Sequence, residues 1–430
     1  MIRQNFNADW TVEKGDGNSR MNSFLGNTQT KTVHLPYDAM IHEARTPDTK
    51  NGAQTGFYPG GEYIFQKHFT APQAWQGKPV SLVFEGVYQT ALVYLNGWLL
   101  TRNVNGYAEF TVEAGPYLKY GADNLLKVIA DNSLEPNSRW YTGSGIYRPV
   151  RLLVGNKVYL PQDTVRITTR EADEGFALLD VTAQVQSAST VTERVTLQQT
   201  ICRKGTAVLT DRQNLLLQPG ESRTVSFRYC VDSPALWSPE NPNLYTSTMQ
   251  VLEGEEELDR EETGFGIRTL SIDAAHGVRI NGQTVKLRGA CIHHDNGILG
   301  AATLPDAEER RIRQLKEAGF NAIRSSHHPA GRALLDACDR YGVLVMDELS
   351  DVWNVRKNPY DYALYFEQDW KPTIQKMVAK DYNHPSVILY CVGNEISEVG
   401  SESGAETNRR LCNTSVSYTH LRAHETDQYL

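Results

Sequence analysis

The sequence lacks a surplus of basic charge, a secretory signal and any apolar run long enough to cross a bilayer. Its 43 Lys and Arg residues stand against 51 Asp and Glu residues, which gives a net charge of −8. Such a chain has no basic field to attract phosphate backbones or anionic membranes, so neither nucleic acid nor a membrane is expected as a partner. We therefore expect a cytoplasmic protein.

Cysteine is also scarce, and the six cysteines are scattered without a Cys-x-x-Cys pair. Several of them stand inside apolar runs, where a thiol packs as a small hydrophobic group. Buried free thiols are expected rather than disulfides, as is usual for a reducing compartment. No motif in the sequence indicates a cofactor or a bound metal.

Short β-type runs separated by Gly, Asn and Pro fill the chain up to about residue 155. The segment "TALVYLNG" alternates apolar and polar residues and ends in Asn96-Gly97, which is a strong hairpin signal. From residue 156 to about 272, runs such as "ALLDVTAQV" and "TVSFRYCV" recur at the spacing of strands in an immunoglobulin-like sandwich. The pattern predicts two β-sandwich domains.

Strands and helices alternate from about residue 273 onward. The strand-like runs are "VKLRGACIHH", interpreted as a buried strand, "NAIRSS", "VLVMDE" and "VILYCVGNE". Between them, "DAEERRIRQLKEAGF", "GRALLDACDRYG" and "DWKPTIQKMVAKDYN" have helical apolar periodicity. Repeated βα units predict a parallel sheet with helices outside, as the third of three domains.

Polar side chains follow all four of these strands. They are His293, His294 and Asp295; Arg324, His327 and His328; Asp347 and Glu348; and Asn394 and Glu395. Ligand sites of parallel sheets and barrels lie at the carboxyl ends of the strands. Any one of these groups alone is more often explained by a buried hydrogen bond or salt bridge. Their repetition at equivalent positions favours a functional site.

A carboxylic acid at the rim of an apolar barrel is expected to be desolvated, which raises its pKa. Glu395 could then donate a proton and later take one back. With a second carboxylate about 5 Å away, it would form the catalytic pair of a retaining glycosidase. Histidine and asparagine suit the binding of sugar hydroxyls, and Trp353 could either stack on a sugar or pack in the core.

The combination of "LPYDAMI", "FYPGGEYIFQKHF", "SRWYTGSGIYRPVRL", "LWSPENPNLY", "GFGIRTL", "RGACIHHDNG", "FNAIRSSHHP", "LVMDE" and "NHPSVILYCVGNE" resembles glycoside hydrolase family 2. The resemblance implies a jelly-roll sugar-binding domain at 1–155, an immunoglobulin-like β-sandwich at 156–272 and the first half of a (β/α)8 TIM barrel at 273–414. It further implies a retaining exo-β-glycosidase acting on a carbohydrate, most simply a β-galactosidase, with β-glucuronidase as the alternative. Whether the full-length enzyme is a homo-oligomer stays open.

Carried over residue by residue, the resemblance makes Glu395 the general acid/base and Asn394 the contact to the sugar 2-hydroxyl. His293, Asp295 and His327 match positions near the glycone. The family's nucleophile is a second glutamate after the seventh barrel strand. This chain ends soon after the fourth, so the nucleophile is expected to be absent and the 430-residue chain to be inactive.

Three features depart from the family pattern. Arg139 stands where the best-known β-galactosidases place an acid, so a direct sugar contact from that loop is not expected. "LSDVWNV" replaces the Glu-Thr-His segment that supplies magnesium ligands in the large β-galactosidases, so a structural magnesium is not expected. The ending at 415–430, which contains "VSYTHLRAHET", resembles a translated sequencing adapter and is expected to be a non-native tail outside the fold.

Two other classes of function remain as alternatives. The first is a TIM-barrel metallohydrolase, in which the two His-His pairs bind zinc. Adjacent histidines on a strand point to opposite faces, so each pair offers at most one inward ligand. The second is a non-catalytic carbohydrate-binding protein built from the two sandwiches, for which the Asn394-Glu395 pair would be unnecessary.

Overall fold

The computed structural model describes residues 1–15 and 30–418, and its first part is a β-sandwich of two antiparallel sheets. Its strands are β1 (Ile2–Asn5), β2 (Trp10–Gly15), β3 (Lys31–Val33), β4 (Gly61–Thr70), β5 (Val80–Phe84), β6 (Thr90–Leu95), β7 (Trp98–Asn103), β8 (Phe110–Glu113), β9 (Asp123–Asn132) and β10 (Val150–Val154). They form sheets in the orders β1-β10-β5-β8 and β3-β2-β4-β9-β6-β7. The predicted hairpin at Asn96-Gly97 joins β6 to β7, and both residues have positive φ.

A second sandwich follows, with its own buried core. Its strands are β11 (Val158–Tyr159), β12 (Arg166–Ala172), β13 (Phe176–Ser187), β14 (Glu193–Arg203), β15 (Thr206–Leu217), β16 (Ser222–Asp232), β17 (Tyr245–Glu253) and β18 (Glu256–Phe265). Strand β13 pairs with β11, β12 and β16, and the other sheet has the order β15-β14-β17-β18. The strict alternation of buried and exposed residues in β16 shows why this sequence forms a half-buried strand.

The third part is a small antiparallel sheet followed by alternating strands and helices. The small sheet contains β19 (Leu270–Asp273), β20 (Gly277–Ile280) and β21 (Gln283–Thr284); the parallel sheet contains β22 (Gly289–Ile292), β23 (Ala322–Ser325), β24 (Leu344–Glu348) and β25 (Val387–Cys391). The helices are α1 (Pro305–Glu317), α2 (Arg332–Tyr341), α3 (Phe366–Asp381) and α4 (Glu402–Tyr418). The predicted fold class, two sandwiches and half of a parallel barrel, is confirmed.

The parallel sheet has the order β22-β23-β24-β25, and its base packs against the preceding antiparallel sheet through Ile280. A groove of about 320 Å³ runs along one face of the parallel sheet and is lined by Cys291, Ile323, Val345 and other apolar residues. The prediction of a buried first strand is wrong in this structure. Gly289–Cys291 are exposed because β22 is an edge strand beside this open groove.

A network of partly buried charges joins the three parts. Arg332, at the start of α2, donates to Glu109 of the first sandwich at 2.8 and 2.9 Å and to Asp163 at 2.5 Å. Arg151 also donates to Glu109, at 3.1 Å. Since Asp163 lies between β11 and β12, one guanidinium links all three parts of the chain.

None of the six cysteines, all of which lie in the described residues, forms a disulfide, but only Cys338 is buried, so the expectation of buried thiols is wrong for the others. Exposure of Cys291 follows from the open groove. Among residues 1–15 and 30–418, no helix has the length and apolar character needed to span a bilayer.

Helix α4 runs to Tyr418, so the first four residues of the suspected tail are helical, and Ser415 is buried. The rest of that segment, 419–430, lies outside the described residues. The domain limits and the non-native origin of 415–430 stay predictions.

Replacing Arg332 by Ala should destabilise the protein by about 1.5–3 kcal/mol, because two partly buried carboxylates lose a cation that compensates them. Urea unfolding followed by circular dichroism measures the change. The matched control is Arg340→Ala, which breaks an exposed pair with Glu309 and should cost less than about 1 kcal/mol. Equal losses in the two variants would contradict a structural role for this charge network.

Candidate active site

The polar residues predicted to form a site gather at the carboxyl edge of the parallel sheet. His293 follows β22 directly, His327 lies two residues after β23, and Asn394 and Glu395 follow β25. The loop between β9 and β10 of the first sandwich also reaches this edge, where Arg139 contacts Asp351. The candidate site is therefore built by two parts of the chain.

Asn394 is buried and its side chain is fixed by hydrogen bonds. Its Nδ2 donates to Asp351 Oδ1 at 2.8 Å, and its Oδ1 accepts from Arg324 Nη2 at 3.1 Å. Lys357 Nζ donates to its backbone carbonyl at 2.7 Å. Both ends of the amide are thus oriented by charged neighbours, which fixes the backbone immediately before Glu395.

Glu395 lies at the same edge, but its side chain is 69% exposed and paired with Arg139. Arg139 Nη1 donates to Glu395 Oε2 at 2.9 Å, and Glu395 has a positive φ of 45°. The hydrogen bond from Arg139, together with its charge, lowers the pKa of Glu395.

The expectation of a raised pKa for Glu395 is therefore wrong in this structure. Desolvation was expected to dominate, but the side chain of Glu395 is largely exposed and keeps its contact with water. The guanidinium then has the larger effect, because an opposite charge at hydrogen-bond distance favours the ionised form. The predicted position at the rim agrees with the structure, whereas the predicted dehydration does not.

Arg139 is held in place by Asp351, through Nε at 3.1 Å from Oδ2 and Nη2 at 2.6 Å from Oδ1. Burial would raise the pKa of Asp351, but hydrogen bonds from Arg139, Asn394 and Lys357 outweigh it and lower that pKa. This carboxylate is the point at which the first-domain loop, the segment after β24 and the segment after β25 meet.

His327 and His293 form an imidazole wall beside these charges. His327 Nδ1 lies 2.9 Å from Glu348 Oε2, and Glu348 also accepts from Arg324. The ring centroids of His327 and His293 are 5.5 Å apart, and Trp140 lies 5.0 Å from His293 and 5.5 Å from His327. Burial lowers the pKa of His293, so its neutral form is favoured.

The second histidine of each pair points away from this wall. His294 Nε2 lies 2.9 Å from the carbonyl oxygen of Thr142, and His328 stacks on Tyr107 with ring centroids 4.0 Å apart. Burial lowers the pKa of His294 to about 3 and that of His328 well below its ordinary value. These two imidazoles are neutral parts of the contact between the first sandwich and the barrel.

Three other residues from the sequence prediction have defined places. Asp295 lies in the loop after β22, where its backbone carbonyl accepts from Arg311, and its negative charge acts on His293. Asp347 is buried and accepts from the backbone of Ala330 at 2.8 Å. Trp353 is 2% exposed and donates to the carbonyl of Val392 at 2.9 Å, so it packs in the core and offers no face to a sugar.

Sequence reasoning missed the contributions of Arg139, Trp140, Asp351 and Lys357. The motif "SRWYTGSGIYR" was a signal that its loop approaches the barrel mouth, and the loop does so through Arg139 and Trp140. Asp351 stands within "LSDVWNV", which was noted only as a departure from the magnesium-binding pattern. A small cavity of about 50 Å³ beside Trp140, Asp351 and His327 continues the site between the two domains.

The four histidines at the strand ends are divided between the wall and the domain contact. Within the described part of the chain, the side chains close enough together to share a metal are those of Asp336, Asp339 and His384. They lie in α2 and in the segment between α3 and β25, so this group does not include the histidines at the strand ends. There, His384 Nδ1 lies 2.6 Å from Asp339 Oδ2, as expected of an ion pair.

Two β-sandwiches that precede half of a parallel barrel, with a carboxylate and an imidazole wall at the carboxyl edge, define a multidomain protein of the glycoside hydrolase type. Three family descriptions match successive parts of the chain: "Glycosyl hydrolase 2 galactose-binding domain-like" at 10–176, "Glycosyl hydrolases family 2" at 158–268 and "Glycosyl hydrolases family 2, TIM barrel domain" at 274–418. The chain belongs to glycosyl hydrolase family 2, which confirms the resemblance noted in the sequence.

Proteins similar to this chain include members from Bacteroides and Formosa. The chain is 37% identical over 406 residues to "Beta-galactosidase BoGH2A" of Bacteroides ovatus, covering 94% of this chain and 48% of that protein. It is 32% identical to a "Putative beta-glucuronidase" of Formosa agariphila, covering 93% and 38%. A solved family 2 member from Bacteroides cellulosilyticus has a TM-score of 0.94 at 36% identity, covering 98% of this chain and 55% of that one. The chain spans about half the length, or less, of the curated relatives it matches.

The buried neutral histidines predict an acid-sensitive fold. Below the ordinary histidine pKa of about 6.5 the unfolded chain takes up a proton at His294, whereas the folded chain does not until about pH 3. The free energy of unfolding should therefore fall as the pH drops from 6.5, by at most about 1.4 kcal/mol per pH unit for this group. Urea unfolding at pH 7 and pH 5 measures the slope.

His294→Gln should reduce that slope, even if it lowers stability at both pH values. His276→Gln is the control for a histidine outside the domain contact, because His276 is exposed in the β19–β20 hairpin, where its Nδ1 lies 2.9 Å from Asp273 Oδ1. His294→Gln should change the slope more than this control. An unchanged slope in His294→Gln would show that this imidazole is protonated in the folded chain.

Proposed function

We propose that this chain supplies the acid/base half of a retaining exo-β-glycosidase of the β-galactosidase type. The observation that carries the proposal is the position of Glu395, which follows β25 at the carboxyl edge beside the fixed amide of Asn394. In the first step Glu395 would protonate the oxygen of the leaving group. In the second step its carboxylate would remove a proton from the attacking water.

The neighbouring residues fit the binding of a sugar. Asn394 would contact the 2-hydroxyl, and His293 and His327 would bind further hydroxyls with their free ring nitrogens. His293 Nδ1 is buried and has no hydrogen-bond partner among the described residues, so its hydrogen-bonding capacity is unused within the chain. Trp140 offers an indole face beside both imidazoles, and Asp295 would act at the outer side of the glycone.

The sugar is proposed as galactose, with glucuronic acid as the second candidate. A relative named β-galactosidase supports the first, and relatives named β-glucuronidase, including a Bacteroides fragilis protein at 27% identity, support the second. The second carboxylate, which would attack the anomeric carbon, is proposed to come from barrel strands that follow the four described here.

A hybrid protein tests this function. Residues 1–414 of this chain are joined to the part of the Bacteroides ovatus relative that follows its matched segment, and p-nitrophenyl β-D-galactoside and β-D-glucuronide are offered in parallel. We expect hydrolysis of the galactoside by the hybrid and none by the 430-residue chain alone. Faster hydrolysis of the glucuronide would reverse the choice of sugar.

In the hybrid, Glu395→Gln should lower kcat/KM by about 100-fold or more, because general acid/base groups contribute about 10²–10⁴. Glu402→Gln is the matched control, since it makes the same chemical change at an exposed position in α4. A folded hybrid that hydrolyses neither glycoside, or full activity in Glu395→Gln, would refute the proposed function.

A further inference from the structure

Glu395 and the cation that binds it come from different domains. Glu395 follows β25 of the barrel, whereas Arg139 lies in the loop between β9 and β10 of the first sandwich. Arg139 Nη1 reaches across to Glu395 Oε2 at 2.9 Å. The first sandwich therefore provides a charge to the carboxylate that is proposed to do acid/base chemistry.

An ordinary exposed ion pair contributes little free energy, because water screens the charges and ordering two flexible side chains costs entropy. Here one partner is anchored. Asp351 binds Nε and Nη2 of Arg139 together, which leaves Nη1 directed at Glu395. A bidentate pair of this kind fixes the plane of the guanidinium.

The anchor itself belongs to the site. Asp351 also accepts from Asn394 Nδ2 at 2.8 Å and from Lys357 Nζ at 3.0 Å. The same carboxylate thus fixes the residue before Glu395 and the cation that binds Glu395. The direction of Arg139 Nη1 is coupled to the backbone that carries the acid/base group.

We propose that Arg139 is a positioning residue that holds Glu395 in its carboxylate form and orients it for the step in which it acts as a base. The proposal rests on the proposed function. In that step the bond between water oxygen and the anomeric carbon forms, the bond from that carbon to the second carboxylate breaks, and the proton of water passes to Glu395. A charge-assisted hydrogen bond to Arg139 favours the carboxylate over the neutral acid.

In this proposal the first sandwich forms part of the active site. Undocking of this domain would remove Arg139 and Trp140 from the rim together. Aryl glycosides have good leaving groups and need little protonation in the first step, so the second step, in which Glu395 acts as a base, limits their turnover. The turnover of these substrates should therefore be the most sensitive to loss of Arg139.

The test uses the 430-residue chain with glutamate labelled by ¹³C at the side-chain carboxyl. The Glu395 resonance is assigned by its loss in Glu395→Gln, and its chemical shift is followed against pH. We expect Arg139→Gln to raise the pKa of Glu395 and Arg139→Lys, which keeps the charge but loses the fork, to raise it less. Arg45→Gln is the control, because this first-domain arginine lies over the ring of Tyr58 at 4.9 Å and should leave the titration unchanged.

An Arg139→Gln chain that is folded and titrates at Glu395 like the parent would overturn the proposal, whatever the hybrid hydrolyses. If Arg139→Gln shifts the titration of Glu395 but the hybrid is inactive, the glycosidase function is refuted. The result would then support only the effect of Arg139 on the Glu395 carboxylate. In an active hybrid, Arg139→Gln should also move the alkaline limit of the kcat/KM profile to higher pH, since that limit reports the acid form of Glu395. An unmoved limit would count against the proposal.

Discussion

The bidentate ion pair between Arg139 and Asp351 is the interaction on which the geometry of the candidate site depends. It joins a loop of the first sandwich to the segment after β24, and Asp351 extends the connection to Asn394 after β25. Asp351 is mostly buried, so its charge is stable there only while these donors surround it. One carboxylate thereby makes the docking of two domains and the shape of the rim interdependent.

This arrangement also accounts for the exposed, ionised state of Glu395. A general acid/base must be able to hold and release a proton near the working pH, so its pKa has to be balanced between opposing effects. The first sandwich supplies one side of that balance through Arg139. Dehydration and a second carboxylate at about 5 Å, both of which raise a carboxyl pKa, would supply the other side in a closed barrel.

Local pattern was sufficient to predict the fold, and part of the site, from the sequence. The alternation around "TALVYLNG" and the turn at Asn96-Gly97 predicted a hairpin that the structure contains, and the order of strands and helices after residue 273 predicted a parallel sheet. The rule for strand ends placed His327, Asn394 and Glu395 at one edge. Arg139 could not be placed in the same way, because its contact with Glu395 spans 256 residues and depends on how two domains dock.

The pKa of Glu395 could not be predicted from the sequence either, because it depends on how the buried and the exposed groups around the site are arranged in two layers. The inner layer, His294 and His328 against Tyr107, is buried, and burial favours the neutral form of both imidazoles. Arg139 and Glu395 lie outside this inner layer, where water is present. The effect of such an ion pair on a pKa depends strongly on the distance between the two charges. A single sequence shows which residue types are available. Whether the pKa of Glu395 is raised or lowered depends on which of these groups contacts its carboxylate, and in this structure that group is the Arg139 guanidinium, which Asp351 holds in place.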